Sequence, residues 1–240
     1  MRSVLVLLAC AAAAIPQEKT QPALSAEQII EKSIEATGGR AAMEKLTSTW
    51  AKGAMEFSAQ EAHGSVELFA KAPNRQLVVM TLEGFGDIKQ GFDGQVAWAQ
   101  DPTGHITEIT GAPLDDMKRS MVFNASLRWK EIYPKVVLIG QDPVGDRKAW
   151  LLELTPSTGR AVKRWYDAET FLLLRESGTR ETPQGAMDIR ADFSDYRDVA
   201  GIKAPFKIRQ SMAMGDIVMS ISEIRNNVEI EDAKFAKPGK

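Results

Sequence analysis

The side chains able to do acid–base, nucleophilic or metal chemistry are few in this sequence and stand apart. Its two histidines, His63 and His105, each lie beside a glycine in turn or strand-edge surroundings. Neither has a carboxylate at ligand spacing, and no HExxH or CxxC run occurs, so no metal site is expected. Cys10 is the single cysteine, which excludes an intramolecular disulfide, and its place in the N-terminal apolar run removes a Cys–His pair. The GxSxG elbow and the GxxxxGK[ST] phosphate loop are absent, and Gly84-Phe85-Gly86 lacks the third glycine of a dinucleotide loop.

Carboxylate pairs remain, because two carboxyls at a set separation suffice for glycoside hydrolysis. Asp115 with Asp116, Asp167 with Glu169, and Asp192 with Asp195 are the candidates. Each falls in a turn, at a helix start or on an alternating solvated face. With 32 acidic residues in the chain, such neighbours arise by chance. The reading is therefore non-enzymatic and without a cofactor; a hydrolase would need a site that no motif marks. The balance of 30 basic against 32 acidic residues, without a basic run, argues against a nucleic-acid partner.

The elements that must position any site follow from periodicity. Arg2 precedes a run from Ser3 to Ile15 that is shorter than the roughly 20 residues of a membrane span. A positive start, a short apolar stretch and then small residues describe a secretory signal, expected over residues 1–16, with the periplasm as destination. Leu7-Leu8-Ala9-Cys10 resembles a lipobox, which would make Cys10 a lipidated anchor; cleavage in the Ala11–Ala14 stretch is the competing route. Residues 17–24 read as a polar linker, and 25–240 as one domain with ordinary globular composition, 44% hydrophobic and 26% charged.

Ser25-Ala26-Glu27-Gln28 has the form of a capping box, Ile29, Ile30 and Ile34 follow at helical spacing, and Gly38-Gly39 ends the helix. A short second helix is expected from Arg40 to about Leu46. From Ser48 the period becomes two, with turn residues recurring every 8–12 positions, as in antiparallel sheets. The spacing predicts about 11–12 strands, interrupted once by an amphipathic helical stretch from Pro113 to about Trp129. Five tryptophans, nine phenylalanines and ten methionines are spread over strands and helix. Methionine suits irregular apolar surfaces, so Met117 and Met121, with Met212, Met214 and Met219, are candidates to line one; ordinary core packing is the other reading.

A resemblance covers the whole mature chain. Ala36-Thr37-Gly38-Gly39, Gly53, Gly91-Phe92-Asp93-Gly94-Gln95-Val96-Ala97-Trp98, Trp150 to Leu154, Trp165 to Thr170, and Asp195 to Phe206 resemble the LolA-like superfamily of periplasmic lipoprotein-sorting and lipid-carrier proteins. These are turn and strand signatures. The resemblance implies an α+β, mainly β fold: a curved, incomplete antiparallel β-barrel with helices covering its open side around an apolar cavity. It further implies a carrier of a lipid or of lipoprotein acyl chains, monomeric, served by an inner- or outer-membrane transport partner. Leu114, Met117, Met121 and Phe123 are the expected lid surface and Trp98 the expected cavity wall. The alternative is an envelope interaction or assembly module whose cavity is simply packed.

Overall fold

The structure is a computed structural model, and it describes residues 24–59, 61–182 and 185–239. The expected signal over 1–16, Cys10, and the linker up to residue 23 lie outside the described residues. Leu24, expected at the end of the linker, already packs against the core.

Ser25 opens α1 (Ala26–Thr37) by the reciprocal bonds its sequence suggests. The Gln28 backbone N–H donates to the Ser25 hydroxyl at 3.2 Å, and the Ser25 N–H donates to the Gln28 side chain at 2.8 Å. Ile29, Ile30 and Ile34 form its buried stripe. The helix stops at Gly38, where φ is 139° and the Gly201 carbonyl comes so close that no Cβ would fit. The next helix, α2 (Arg40–Met43), ends three residues before the expected Leu46, its last turn finished by the Lys45 and Leu46 amides donating to Ala42 and Met43.

Two meanders follow. The first comprises β1 (Ser48–Phe57), β2 (Ala62–Lys71), β3 (Arg75–Leu82), β4 (Gly86–Phe92), β5 (Ala97–Gln100) and β6 (Ile106–Ile109). The second comprises β7 (Lys135–Gln141), β8 (Ala149–Thr155), β9 (Val162–Asp167), β10 (Leu173–Thr182), β11 (Gly185–Val199), β12 (Ile202–Met212) and β13 (Gly215–Asn226). Pairing of β1 with β13 joins them into one antiparallel sheet of 13 strands, where about 11–12 were expected. The order runs β6-β5-β4-β3-β2-β1-β13-β12-β11-β10-β9-β8-β7, so the sheet is not closed into a barrel, and β6 and β7 are its edges.

Chain order makes the single helical interruption the bridge between those edges. It is split into α3 (Ala112–Ser120), a 3-10 turn (Ala125–Arg128) and α4 (Trp129–Ile132). The break falls at Asn124, whose φ of 51° is left-handed, a conformation asparagine tolerates. Bulges between Lys52 and Gly53 and between Leu138 and Gly140 add local bend to the sheet. The main core lies on the concave side, where Ile29, Ile30 and Ile34 of α1, Met43, and Trp129 of α4 meet Leu152, Leu154 and Tyr166. Helices therefore fill the β7–β9 part of the concavity, and α3 packs against β4–β6 through Met117, Leu114 and Met121 on Phe92, Ala97 and Ile109.

Candidate functional site

Between these two packed zones the concave face of β1–β3, β12 and β13 is left uncovered. Alternation places Ala51 opposite Leu68, Leu68 opposite Val78, Val66 opposite Met80, and Ile208 opposite Met219, all on the one face. The bulge at Lys52/Gly53 is what brings both Ile221 and Ile224 of β13 to that face, three positions apart. Leu68, Val78, Met80, Ile208, Met219, Ile221 and Ile224 are only partly buried, although each is a large aliphatic or thioether side chain. They line a cavity of 560 Å³, with Met43 from α2, Leu46 from the turn after it and Asn124 from the helical bridge also on its lining. That volume lies within the range of about 300–1,000 Å³ found for small-molecule pockets.

Most polar groups on the lining are bonded to protein. The Thr49 hydroxyl donates to Asn226 Oδ1 at 3.0 Å, and Asn124 Nδ2 donates to the Met43 carbonyl at 2.7 Å. Gln90 Nε2 points at the Met117 sulfur, 3.9 Å away. The wall presented to a ligand is thus apolar, suited to methylene chains.

A second cavity of 180 Å³ lies under α3 and over β9–β12, and its chemistry is opposite. Alternation brings Arg164 of β9 directly opposite Glu176 of β10, and their side chains meet at 2.8 Å while only 17% and 20% exposed. Arg164 also donates to the Tyr133 hydroxyl at 3.2 Å, and Arg180 reaches the other Glu176 oxygen at 3.4 Å. Burial works against charge on Glu176, yet the positive charge and hydrogen bond of Arg164, with help from Arg180, hold its carboxyl below the ordinary range. Desolvation opposes charge on the Arg164 guanidinium, but Glu176, Tyr166 and Tyr133 together outweigh it and push its pKa up. Arg119 and Asp116, one turn apart on α3, pair with each other at the same cavity.

Each carboxylate pair noted in the sequence has at least one member tied to an arginine. Asp167 accepts the Glu169 and Thr170 amides and pairs with Arg147 at 2.8 Å, which fixes the β9–β10 turn. Asp192 is held by Arg175 and Arg190, Asp195 by Arg197, and Asp116 by Arg119. A carboxylate fixed by cations is poorly placed to act as a general acid.

The structure treats the five expected cavity residues in two ways. Leu114, Met117 and Met121 do sit on the bridging helical segment at the concave side, but pack on β4–β6 at the cavity's flank, with Met117 touching it through Gln90. Phe123 is half-buried just beyond α3, its amide donating to the Pro73 carbonyl. Trp98 requires correction. Its register opposite Gly91 and Glu108 puts it on the convex face, away from the cavity. There it packs with Leu77, Ile230 and Phe235, and its indole N–H donates to the Phe235 carbonyl at 2.9 Å. Gly91 lies so close beneath the indole that a Cβ would overlap the ring, which explains glycine in that strand. Met219, a candidate from the sequence, does line the cavity, whereas the other apolar residues of β1–β3, β12 and β13 and the Arg164–Glu176 pair carry no motif that singles them out. The available signal was their shared parity within each strand.

No protein-family profile matches the chain, and no curated protein sequence matches it. Solved structures do. A LolA superfamily protein from Nitrosomonas europaea matches with a TM-score of 0.59 at 16% identity, over 90% of this chain and 99% of that one. A DUF1329 family protein from Desulfovibrio piger gives 0.61 at 16% identity, over 88% and 97%. A domain described as an outer membrane lipoprotein-sorting protein, from Vibrio parahaemolyticus, gives 0.55 at 12% identity, over 86% and 97%. The LolA-like fold expected from the sequence is thus the fold of this chain, and at these identities the likeness is one of fold.

Proposed function

We propose that this chain is a non-catalytic carrier, exported to the periplasm, that shelters the acyl part of a lipid or lipoprotein in the 560 Å³ cavity. The carrying observation is the half-exposed aliphatic strip over β1–β3, β12 and β13, left open inside an otherwise packed concavity. Large apolar patches kept in contact with water favour a partner, because each methylene buried there gains about 0.8 kcal/mol. The lipoprotein-sorting description of the Vibrio parahaemolyticus domain is consistent with this reading. Leu114, Met117 and Met121 seat α3 at the cavity's flank, so α3 is the element whose movement would admit and release cargo.

Native mass spectrometry of the protein isolated from a lipid-containing host tests the proposal. The expected result is stoichiometric co-purifying lipid or acylated peptide, lost in Ala204→Phe, which fills the cavity from β12. Consistently empty protein that still binds an envelope component would sink the carrier reading in favour of an interaction module. The intact mass of the same sample reads whether residues 1–16 are removed and whether Cys10 is acylated.

A further inference from the structure

The apolar and polar cavities abut. Gln210 of β12 lines both, and Asn124 lines the apolar one while its chain neighbour Ala125 lines the polar one. Around the polar cavity the charges do not cancel. Arg119 is matched by Asp116, and Arg160 is matched by Glu181 of the adjoining crevice, which also carries Asp115. Arg164 and Arg180 share the single carboxylate of Glu176. The lining of the polar cavity itself thus sets four arginines, Arg119, Arg160, Arg164 and Arg180, against two carboxylates, Asp116 and Glu176. Glu176 takes a close bond from Arg164 and a long one from Arg180, and a guanidinium has five N–H donors, so Arg180 retains donors for another acceptor. A planar guanidinium matches the oxygens of a carboxylate or phosphate better than any neutral group.

We infer that the two cavities form one amphiphile site, in which Arg180, backed by the Arg164–Glu176 pair, receives an anionic head while the acyl chain lies along β1–β3, β12 and β13. The inference rests on the carrier reading and narrows it: the cargo is a lipid with a carboxylate or phosphate head. A chain amide-linked to a protein would leave the spare donors of Arg180 without an anionic acceptor. Gln210, at the junction, is placed to meet the first polar atoms below the head.

Equilibrium binding of hexadecanoate, hexadecyl phosphate and hexadecanol to the full chain tests this, since the three share a chain and differ in the head. The charged probes are expected to bind about tenfold to a hundredfold tighter than the alcohol, the range for a charge-assisted bond. In Arg180→Gln the preference should collapse while the alcohol binds as before, and Arg180→Lys should restore part of it. Preference for hexadecanoate identifies a free acid head, and preference for hexadecyl phosphate a phospholipid-type head. Equal binding of all three by the unaltered chain, or a preference that survives Arg180→Gln, overturns the inference and leaves the carrier reading standing. If none of the three binds, both fail.

Discussion

The two parts of the concave face are built from the same kind of strand and end in opposite states. Over β8 and β9, α1, α2 and α4 bury Leu152 and Leu154 completely. Over β1–β3, β12 and β13 the equivalent inward positions hold Val78, Ile208 and Ile221, which remain partly open. Nothing in side-chain chemistry separates the two sets. The difference lies in reach: α1 is a 12-residue helix, about 18 Å long at 1.5 Å per residue, and covers only one side of a 13-strand sheet. Core and cavity are therefore one design, covered by helices on one side and left uncovered by them on the other.

Truncation is the strongest way to break that comparison. Leu154→Ala should create a new void under α1 and destabilise the fold by about 2–5 kcal/mol. Ile221→Ala enlarges a void that already exists and removes less contact, so its cost should stay near 1 kcal/mol or below, by the same transfer-plus-cavity reasoning. Urea unfolding of both variants measures the difference. Equal losses would mean that the cavity closes in solution and that the two halves are packed alike.

This contrast also marks how far the sequence could be read. The capping box at Ser25, the stop at Gly38-Gly39 and the switch to period two at Ser48 are local signals, and the elements stand where those residues put them. The fold class followed from them together with the resemblance. The face on which a strand residue lies was less legible. Trp98 is the expected cavity wall, yet parity through Gly91 turns it outward against the C-terminal segment around Phe235. Of the residues that do line the cavity only Met219 stands out in the sequence, because an alternating Val-Leu-Met pattern looks the same under a helix or under nothing. Arg164 and Glu176 are 12 positions apart, and only the β9–β10 register makes them partners.

The polar end offers a sharper and smaller test, because its contribution should depend on pH. The Glu176 carboxyl is held below its ordinary pKa in the folded chain by Arg164 and Arg180 against the pull of burial. A lowered folded pKa gives stability that is present above the unfolded value, about 4.3, and is lost as pH falls through the lower folded value. Glu176→Gln should accordingly be less stable than the unaltered protein at pH 7 by about 1–3 kcal/mol, the cost of leaving Arg164 with a weaker acceptor. The gap should narrow as the medium is acidified below the ordinary carboxylate pKa. A gap that is constant across that window would assign the effect to shape and not to charge.

The smallest effect separates plug from cavity. Ser25→Ala removes the hydroxyl that caps α1 and should cost about 1 kcal/mol, a typical value for such caps. For a domain of this size that corresponds to a fall in Tm of roughly 2–4 °C. Ser25 touches neither cavity, so ligand affinity measured on the same sample should be unchanged. The outcome turns on coupling: if α1 serves only as a plug, stability and binding move independently. A parallel loss of binding would instead show that the position of α1 sets the width of the cavity through α2 and the turn after it, whose Met43 and Leu46 line the cavity.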